Sequence, residues 1–255
     1  MTDDDETRQI VRERYAETAS EGCCGGGVEA AARAVGYDDS EIAAVDGEAN
    51  LGLGCGNPTA IANLAAGETV LDLGSGGGFD CLLAGREVGP DGQVIGVDMT
   101  PEMVEKARGN ARENDAEHVE FRLGEIEHLP VADETVEVII SNCVVNLSPA
   151  KRQVYQEAFR VLRPGGRVAI SDPVVVGDLP DGVRDDPGSL AGCISGAESP
   201  ERHRELLAAA GFEAIEITVD PESSDAIDEW HETYDLGGSL LSARIEARKP
   251  PADDT

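Results

Sequence analysis

Residues 70–80 read VLDLGSGGGFD, and the fold follows from this stretch. An apolar run, Thr69–Leu73, predicts a buried strand. It passes without a linker into a glycine-rich turn, and a helical segment, Phe79–Val88, follows. Gly74, Gly76 and Gly78 let the backbone turn tightly and lie close against a ligand. A glycine-rich turn alone is a weak signal, but one between a strand and a helix has the context that a nucleotide-binding βαβ unit requires. A second strand, Gln93–Val97, follows a Pro-Asp-Gly turn at 90–92 and delivers Asp98, 24 residues beyond Gly74. A carboxylate at that spacing can accept hydrogen bonds from both hydroxyls of an unphosphorylated ribose.

The alternation continues outward from this unit. Thr100 is placed to cap a helix that opens on Pro101. Strands are expected at Val119–Leu123, Val136–Ser141 and Arg167–Ser171, and helices at Pro149–Leu162, ended by RPGG, and at Pro200–Ala210. Glu213–Val219 and Leu240–Ala247 read as two final strands. Short links between alternating strands and helices predict an α/β fold, doubly wound, with a mostly parallel seven-stranded sheet. Residues 1–66 read as an N-terminal helical and loop appendage, with helices at Thr7–Ala19 and Val28–Val35. Within it lie two irregular segments, GCCGGG at 22–27 and NLGLGCGNP at 50–58. Residues 67–249 form the expected main domain, and 250–255 a disordered tail. The Gly/Asp/Pro-rich stretch 177–198 is long for a plain connection, which makes it a candidate site loop.

Composition narrows the function classes. The chain has 255 residues, with 20 basic and 51 acidic side chains and a formal charge of −31. So negative a surface repels phosphates, and no basic patch is visible, which argues against nucleic acid. It also argues against an anionic membrane, and no run approaches the roughly 20 apolar residues of a bilayer span. The acidic start, MTDDDETRQ, lacks the apolar region of a secretory signal. Acidic residues spread along the whole chain, with arginine far outnumbering lysine, point to a salt-loaded cytoplasm and a halophilic archaeal source.

Six cysteines, Cys23, Cys24, Cys55, Cys81, Cys143 and Cys193, show neither the density of a disulfide scaffold nor a CxxC pair. In a reducing cytosol the thiols need another reason. A free cysteine is commonly a small buried hydrophobe, and that reading suits Cys81. Cys55 and Cys193 sit beside glycines in loops, where burial is less natural. Adjacent Cys23 and Cys24 suit a mobile thiol that exchanges disulfides. His203 and His231 lie in polar contexts expected at the surface, and Tyr15 on the first helix could cover a cofactor but reads chiefly as part of an amphipathic helix.

Five segments in order, DLGSGGG (72–78), VDMTPEM (97–103), GEIEHLP (124–130), SNCVVNL (141–147) and LRPGG (162–166), resemble the motifs of class I S-adenosylmethionine-dependent methyltransferases. The resemblance implies that Asp72, Gly74, Ser75, Gly76 and Gly78 face the amino-acid part of that cofactor. It implies that Asp98, with Met99 beside it, holds the ribose, and that Gly124, Glu125 and Ile126 hold the adenine. Asn142 would orient ligand or backbone. NLGLGCGNP, GEIEHLP, SNCVVNLSPAK and AGCISGA (191–197) resemble, more narrowly, the arsenite methyltransferases. Carried over by motif, Cys55, Cys143 and Cys193 would hold As(III), and Cys23 or Cys24 would be a redox accessory. Soft arsenic prefers thiolates to oxygen ligands. Three of them leave its lone pair free as the nucleophile. The resemblance implies arsenite and methylated arsenicals as substrates and products, and a reductant such as thioredoxin or small thiols. Two other readings keep the cofactor motifs: a methyltransferase for an organic small molecule, and a non-catalytic thiol-based arsenic binder.

The charge generates a first prediction. The protein should lose structure below roughly molar KCl and regain it on adding salt, because unscreened carboxylates repel. Circular dichroism that stays native in dilute buffer would sink the halophilic expectation.

Overall fold

The computed structural model describes residues 4–21, 27–186, 189, 193–228, 230, 234–236 and 238–252. Cys23, Cys24 and His231 lie outside these residues. Seven strands form a single sheet: β1 (Thr69–Leu73), β2 (Gln93–Asp98), β3 (Val119–Leu123), β4 (Val136–Asn142), β5 (Leu162–Val175), β6 (Glu213–Val219) and β7 (Leu240–Arg248). Their order is β3-β2-β1-β4-β5-β7-β6. The first five are parallel, and β7 runs antiparallel between β5 and β6. The order reverses between β1 and β4, and in open α/β sheets a crevice forms at the strand carboxyl ends at such a point.

The sequence explains why these strands lie in the middle. In β1 the side chains alternate between faces, Leu71 and Leu73 on one and Val70 on the other, and all three are buried. Burial on both faces is the condition of a central parallel strand. On the first face Ile95, Val97, Ile139 and Ile170 pack with Tyr155 and Leu207. The relevant helices are α7 (Lys151–Val161) and α8 (Pro200–Ala210). On the second face Val94, Val138 and Ile140 pack with Leu82 of α5 (Phe79–Val88) and Val104 of α6 (Pro101–Glu113).

The N-terminal segment is docked on this core rather than appended to it. Its helices are α1 (Asp4–Glu21), α2 (Val28–Ala34), α3 (Asp39–Ala44) and α4 (Pro58–Ala62). Tyr37 and Ala32 join the second-face core, and the Tyr37 ring meets Phe79 edge to face at 5.1 Å. On α1, Arg8 pairs with Glu127 at 3.5 Å and Arg12 with Glu125 at 3.4 Å.

The structure departs from the sequence reading at identifiable places. The fifth strand runs well past Ser171 in one direction and through RPGG in the other. Beyond Ser171 the parallel neighbour β4 has ended, so Pro173, which lacks an N–H, needs a ladder partner only on the β7 side. At RPGG, Gly165 donates to the carbonyls of Lys249 and Pro250, and Lys249 donates to Gly166, so the segment is a paired, bulged strand start. Helix α3, not among the expected elements, opens on a capping box formed by Asp38 and Glu41. Thr100 occupies the N-cap position of α6 without a capping bond. His203 is not on the surface: it is fully buried, with Nδ1 at 2.7 Å from the Tyr155 hydroxyl, and burial pushes its pKa down to about 4.

Gly96 of β2 tests the packing between sheet and helices. A Cβ there would stand 2.5 Å from the Phe121 ring and 2.8 Å from Ser75 Cβ. Gly96→Ala should cost about 1–3 kcal/mol by overpacking. Chemical denaturation at constant salt measures it, and an unchanged midpoint would refute the close approach.

Candidate active site

A cleft of about 1140 Å³, its open mouth included, lies over the carboxyl ends of β1, β2 and β4. Its floor is the glycine turn. Gly74 has φ of +70° and lies so close to Val144 that any side chain would collide. A Cβ on Gly76 would meet nothing within 4 Å, so the turn is open toward the cleft there. Ser75 Oγ is buried without a partner among the described residues. Asp98 closes one side. Its carboxylate accepts from Gly76 N at 3.0 Å and from Thr100 N at 2.8 Å, and burial raises its pKa.

Of the residues expected at the cofactor, Asp72, Gly74, Ser75, Gly76, Asp98, Met99, Gly124, Ile126 and Asn142 line this cleft. Gly78 does not. It sits beneath the turn against Phe121 and Ala107, where φ of +89° starts α5. Glu125 faces Arg8 and Arg12 instead, and it is Glu127 that reaches the wall, accepting from Ser148 Oγ at 2.6 Å. Asp80 is a wall residue that the sequence reading missed. It is pushed up to about 6, mainly by burial. Asp72 is raised well above the usual carboxylate range by burial and then by Asp80. Cys81 is buried beneath it and donates its thiol to Asp72 Oδ2 at 3.2 Å. Two acids held reluctantly in an enclosed wall suit a cationic ligand. The open turn, the unpartnered Ser75 hydroxyl and this acidic wall therefore fit S-adenosylmethionine, which carries a sulfonium and an ammonium.

At the end of the cleft three buried thiols converge. Cys55, Cys143 and Cys193 cluster with Val11, Leu147 and Tyr15. Cys143 alone of the three lines the cleft itself. The Cys193 thiol donates to the Cys143 carbonyl at 2.6 Å, and the Cys55 thiol to the Ser171 carbonyl at 3.4 Å. Cys143 and Cys193 both adopt left-handed backbone conformations, with φ of 60° and 62°. Residues without special need avoid that region, and it is maintained only where surrounding structure imposes it. Hydrogen bonding to the Cys193 and Cys55 thiols, followed by burial, holds the Cys143 thiol well above its ordinary pKa. Burial raises Cys55 likewise.

Two further residues tie the thiols to the cleft. The Asn142 amide oxygen accepts from Cys55 N at 3.0 Å, and its nitrogen donates to Gly56 O at 2.8 Å and to the Tyr37 hydroxyl at 2.9 Å. Asn142 thus positions the Cys55 loop. Tyr15 is not merely part of an amphipathic surface. It lines the cleft, its hydroxyl hydrogen-bonds Cys193, and burial raises its pKa well above the ordinary value. Contrary to the amphipathic expectation, α1 shows no clean apolar stripe, so a tyrosine facing inward from it carries little sequence signal.

Comparison with known proteins bears on the family and the fold. A methyltransferase-domain family model matches residues 64–211. An arsenite methyltransferase of Halobacterium salinarum is 56% identical over 99% of this chain and 69% of its own length. One from Aquipseudomonas alcaligenes is 43% identical over 52% of this chain and 41% of its own. The crystal structure of an arsenic(III) S-adenosylmethionine methyltransferase from Chlamydomonas reinhardtii superposes with a TM-score of 0.64 at 31% identity. It covers 89% of this chain and 75% of that one.

Asp98→Ala should weaken S-adenosylmethionine binding by about 1.5–3 kcal/mol, the scale of a hydrogen bond to a charged group. Arsenite binding should change little. Unaltered cofactor affinity in titration calorimetry would remove the ribose assignment.

Proposed function

The chain belongs to the arsenite methyltransferase family, within the S-adenosylmethionine-dependent methyltransferases, and on that premise we propose that it methylates As(III) held on Cys55, Cys143 and Cys193. The observation that carries this reading is the meeting of three buried thiols, 138 residues apart in sequence at the extremes, at the end of a cleft that suits the cofactor. A methyltransferase for an organic acceptor gives no account of them.

The raised pKa values of Cys55 and Cys143 support the same reading. Arsenite brings its own hydroxyls. Each thiol exchanges with one, forming an As–S bond and releasing water, so three thiols and As(OH)₃ give a neutral tris-thiolate and three waters. No proton must first be lost to solvent, and protonated thiols in a buried site are competent for this exchange. The site then fixes arsenic with its lone pair free. When bound, S-adenosylmethionine supplies an electrophilic methyl group on its sulfonium. Asp98, the glycine turn and the Asp72–Asp80 wall hold that molecule, and the thiol cluster orients the nucleophile beside it. Tyr15 and Val11 cover the site and exclude water. No general base is needed, because the attacking lone pair carries no proton.

Methyl transfer formally oxidises arsenic, and its return to As(III) needs two electrons. Cys23 or Cys24, with thioredoxin or small thiols as the final reductant, supplies them in this reading. Residues 67–249 act as the catalytic unit and 1–66 as the segment that brings Cys55 and α1 to it. The enzyme works in a salt-loaded cytoplasm without nucleic-acid or membrane partners. The halobacterial relative and the absence, among the described residues, of a helix long and apolar enough to cross a membrane are compatible with that.

Cys55→Ser, Cys143→Ser and Cys193→Ser each replace a soft ligand by a hard hydroxyl. Each should abolish or severely reduce single-turnover methyl transfer from labelled cofactor to arsenite. Wild-type rates in all three variants would overturn the three-thiolate site and favour an organic acceptor.

A further inference from the structure

Asp172 is a buried carboxylate for which the methyl transfer has no use. It lies in the extension of β5 beyond Ser171 and is fully buried. One oxygen, Oδ2, accepts from Val145 N at 3.0 Å. The other, Oδ1, is buried with no hydrogen-bond partner among the described residues. A carboxylate oxygen left bare in the interior is costly unless something else occupies it. The group has two thiols as neighbours. One ligand oxygen of Asp172 and the sulfurs of Cys55 and Cys143 all lie within 4.8 Å of one another.

This is a different donor set from the three thiols. Arsenic(III) is satisfied by sulfur alone. Two sulfurs and one carboxylate oxygen suit a borderline divalent ion, which accepts both donor types in a tetrahedral arrangement. Three protein ligands also leave one position for water, as open zinc sites do. We propose that Cys55, Cys143 and Asp172 form a second ligand set, for a divalent thiophilic cation of the zinc and cadmium type. It shares two thiols with the arsenic site and excludes arsenite when filled.

The chemistry balances without a redox partner. The cation takes two thiolates and one carboxylate, two thiol protons leave to solvent, and no electron moves. The complex carries one net negative charge. The Lys151 ammonium, which acts electrostatically on Asp172 and donates to the carbonyls of Asn146 and Ser148, offsets it. Cys193 belongs to the arsenic set but not to the cation set, and Asp172 the reverse. The inference extends past the methyl-transfer reading and does not depend on it.

That asymmetry sets the test. The full chain carrying C23S and C24S, which removes competing thiols, is titrated anaerobically with Co²⁺. One equivalent should bring up a thiolate-to-cobalt charge-transfer band and the visible bands of a tetrahedral ion, and Zn²⁺ should displace it. D172N retains an acceptor for Val145 N but loses the anionic ligand, and should weaken Zn²⁺ binding by about 10-fold or more while leaving arsenite affinity nearly unchanged. C193S should do the opposite. If D172N fails to keep the native circular dichroism, D172E serves for the same comparison, since it retains the charge and displaces the oxygens. The proposal is overturned if cobalt gives no thiolate band, if the Asp172 variant binds Zn²⁺ as tightly as the parent, or if C193S weakens Zn²⁺ as much as arsenite. Unchanged affinity for both ions in C193S would still support the cation site while removing the three-thiolate arsenic reading.

Discussion

The side-chain amide of Asn142 is the interaction on which the arrangement depends. It stands at the carboxyl end of β4, beside the point where strand order reverses, and it spends its hydrogen bonds on other segments. Cys55 N and Gly56 O belong to an N-terminal loop, Tyr37 to the turn before α3, and Asp80 to the helix after the glycine turn. One half-buried amide therefore joins the sheet, the thiol loop and the cleft wall. The approach is close enough to dictate composition. A Cβ on Gly54 would stand 2.7 Å from Asn142 Nδ2, and one on Gly56 would collide with the Ser171 hydroxyl. The glycines flanking Cys55 are there for proximity rather than for looseness.

A second theme is charge held where it is unwelcome. Asp72, Asp80, Asp98 and Asp172 are all raised in pKa, each chiefly by burial. Three of them line the cleft, where a cationic ligand relieves the desolvation. Asp172 stands behind the thiols with Lys151 as its electrostatic counterpart. The interior acids are thus placed near particular ligands, in contrast to the many exposed carboxylates. On that surface arginine does most of the pairing. Arg160 bridges Glu157 and Asp133, and Arg167 holds Glu68 together with the carbonyls of Ala62 and Asn63. The planar, always-charged fork of arginine suits such multiple contacts better than the point charge of lysine.

The thiol cluster also shows how a fold stores geometry. Cys143 follows β4 directly and Cys193 lies within the long connection between β5 and α8, and both turn into the left-handed region. That conformation lets each sulfur point back toward the site, where the Cys193 thiol reaches the Cys143 carbonyl. The strain is maintained because the surrounding residues, Leu147 and Val11 among them, are packed.

Much of this molecule was legible in the chain. Strand length, apolar runs and turn residues are local properties, and they placed every strand of the sheet, with the boundary of β5 as the main error. That error has a tertiary cause, since only the β7 neighbour tells a strand to continue through Pro173 once β4 has stopped. The glycine turn and Asp98 were readable because their spacing along a βα unit is itself the geometry. Cys55, Cys143 and Cys193 could be named from motifs, but that they converge is a statement about segments far apart in sequence. Asp80 and Asp172 carry no site assignment in the sequence for the same reason, and Tyr15 only a secondary one. A residue type announces a chemistry, whereas burial, the loss of a neighbouring strand and the approach of a distant loop decide whether that chemistry is used.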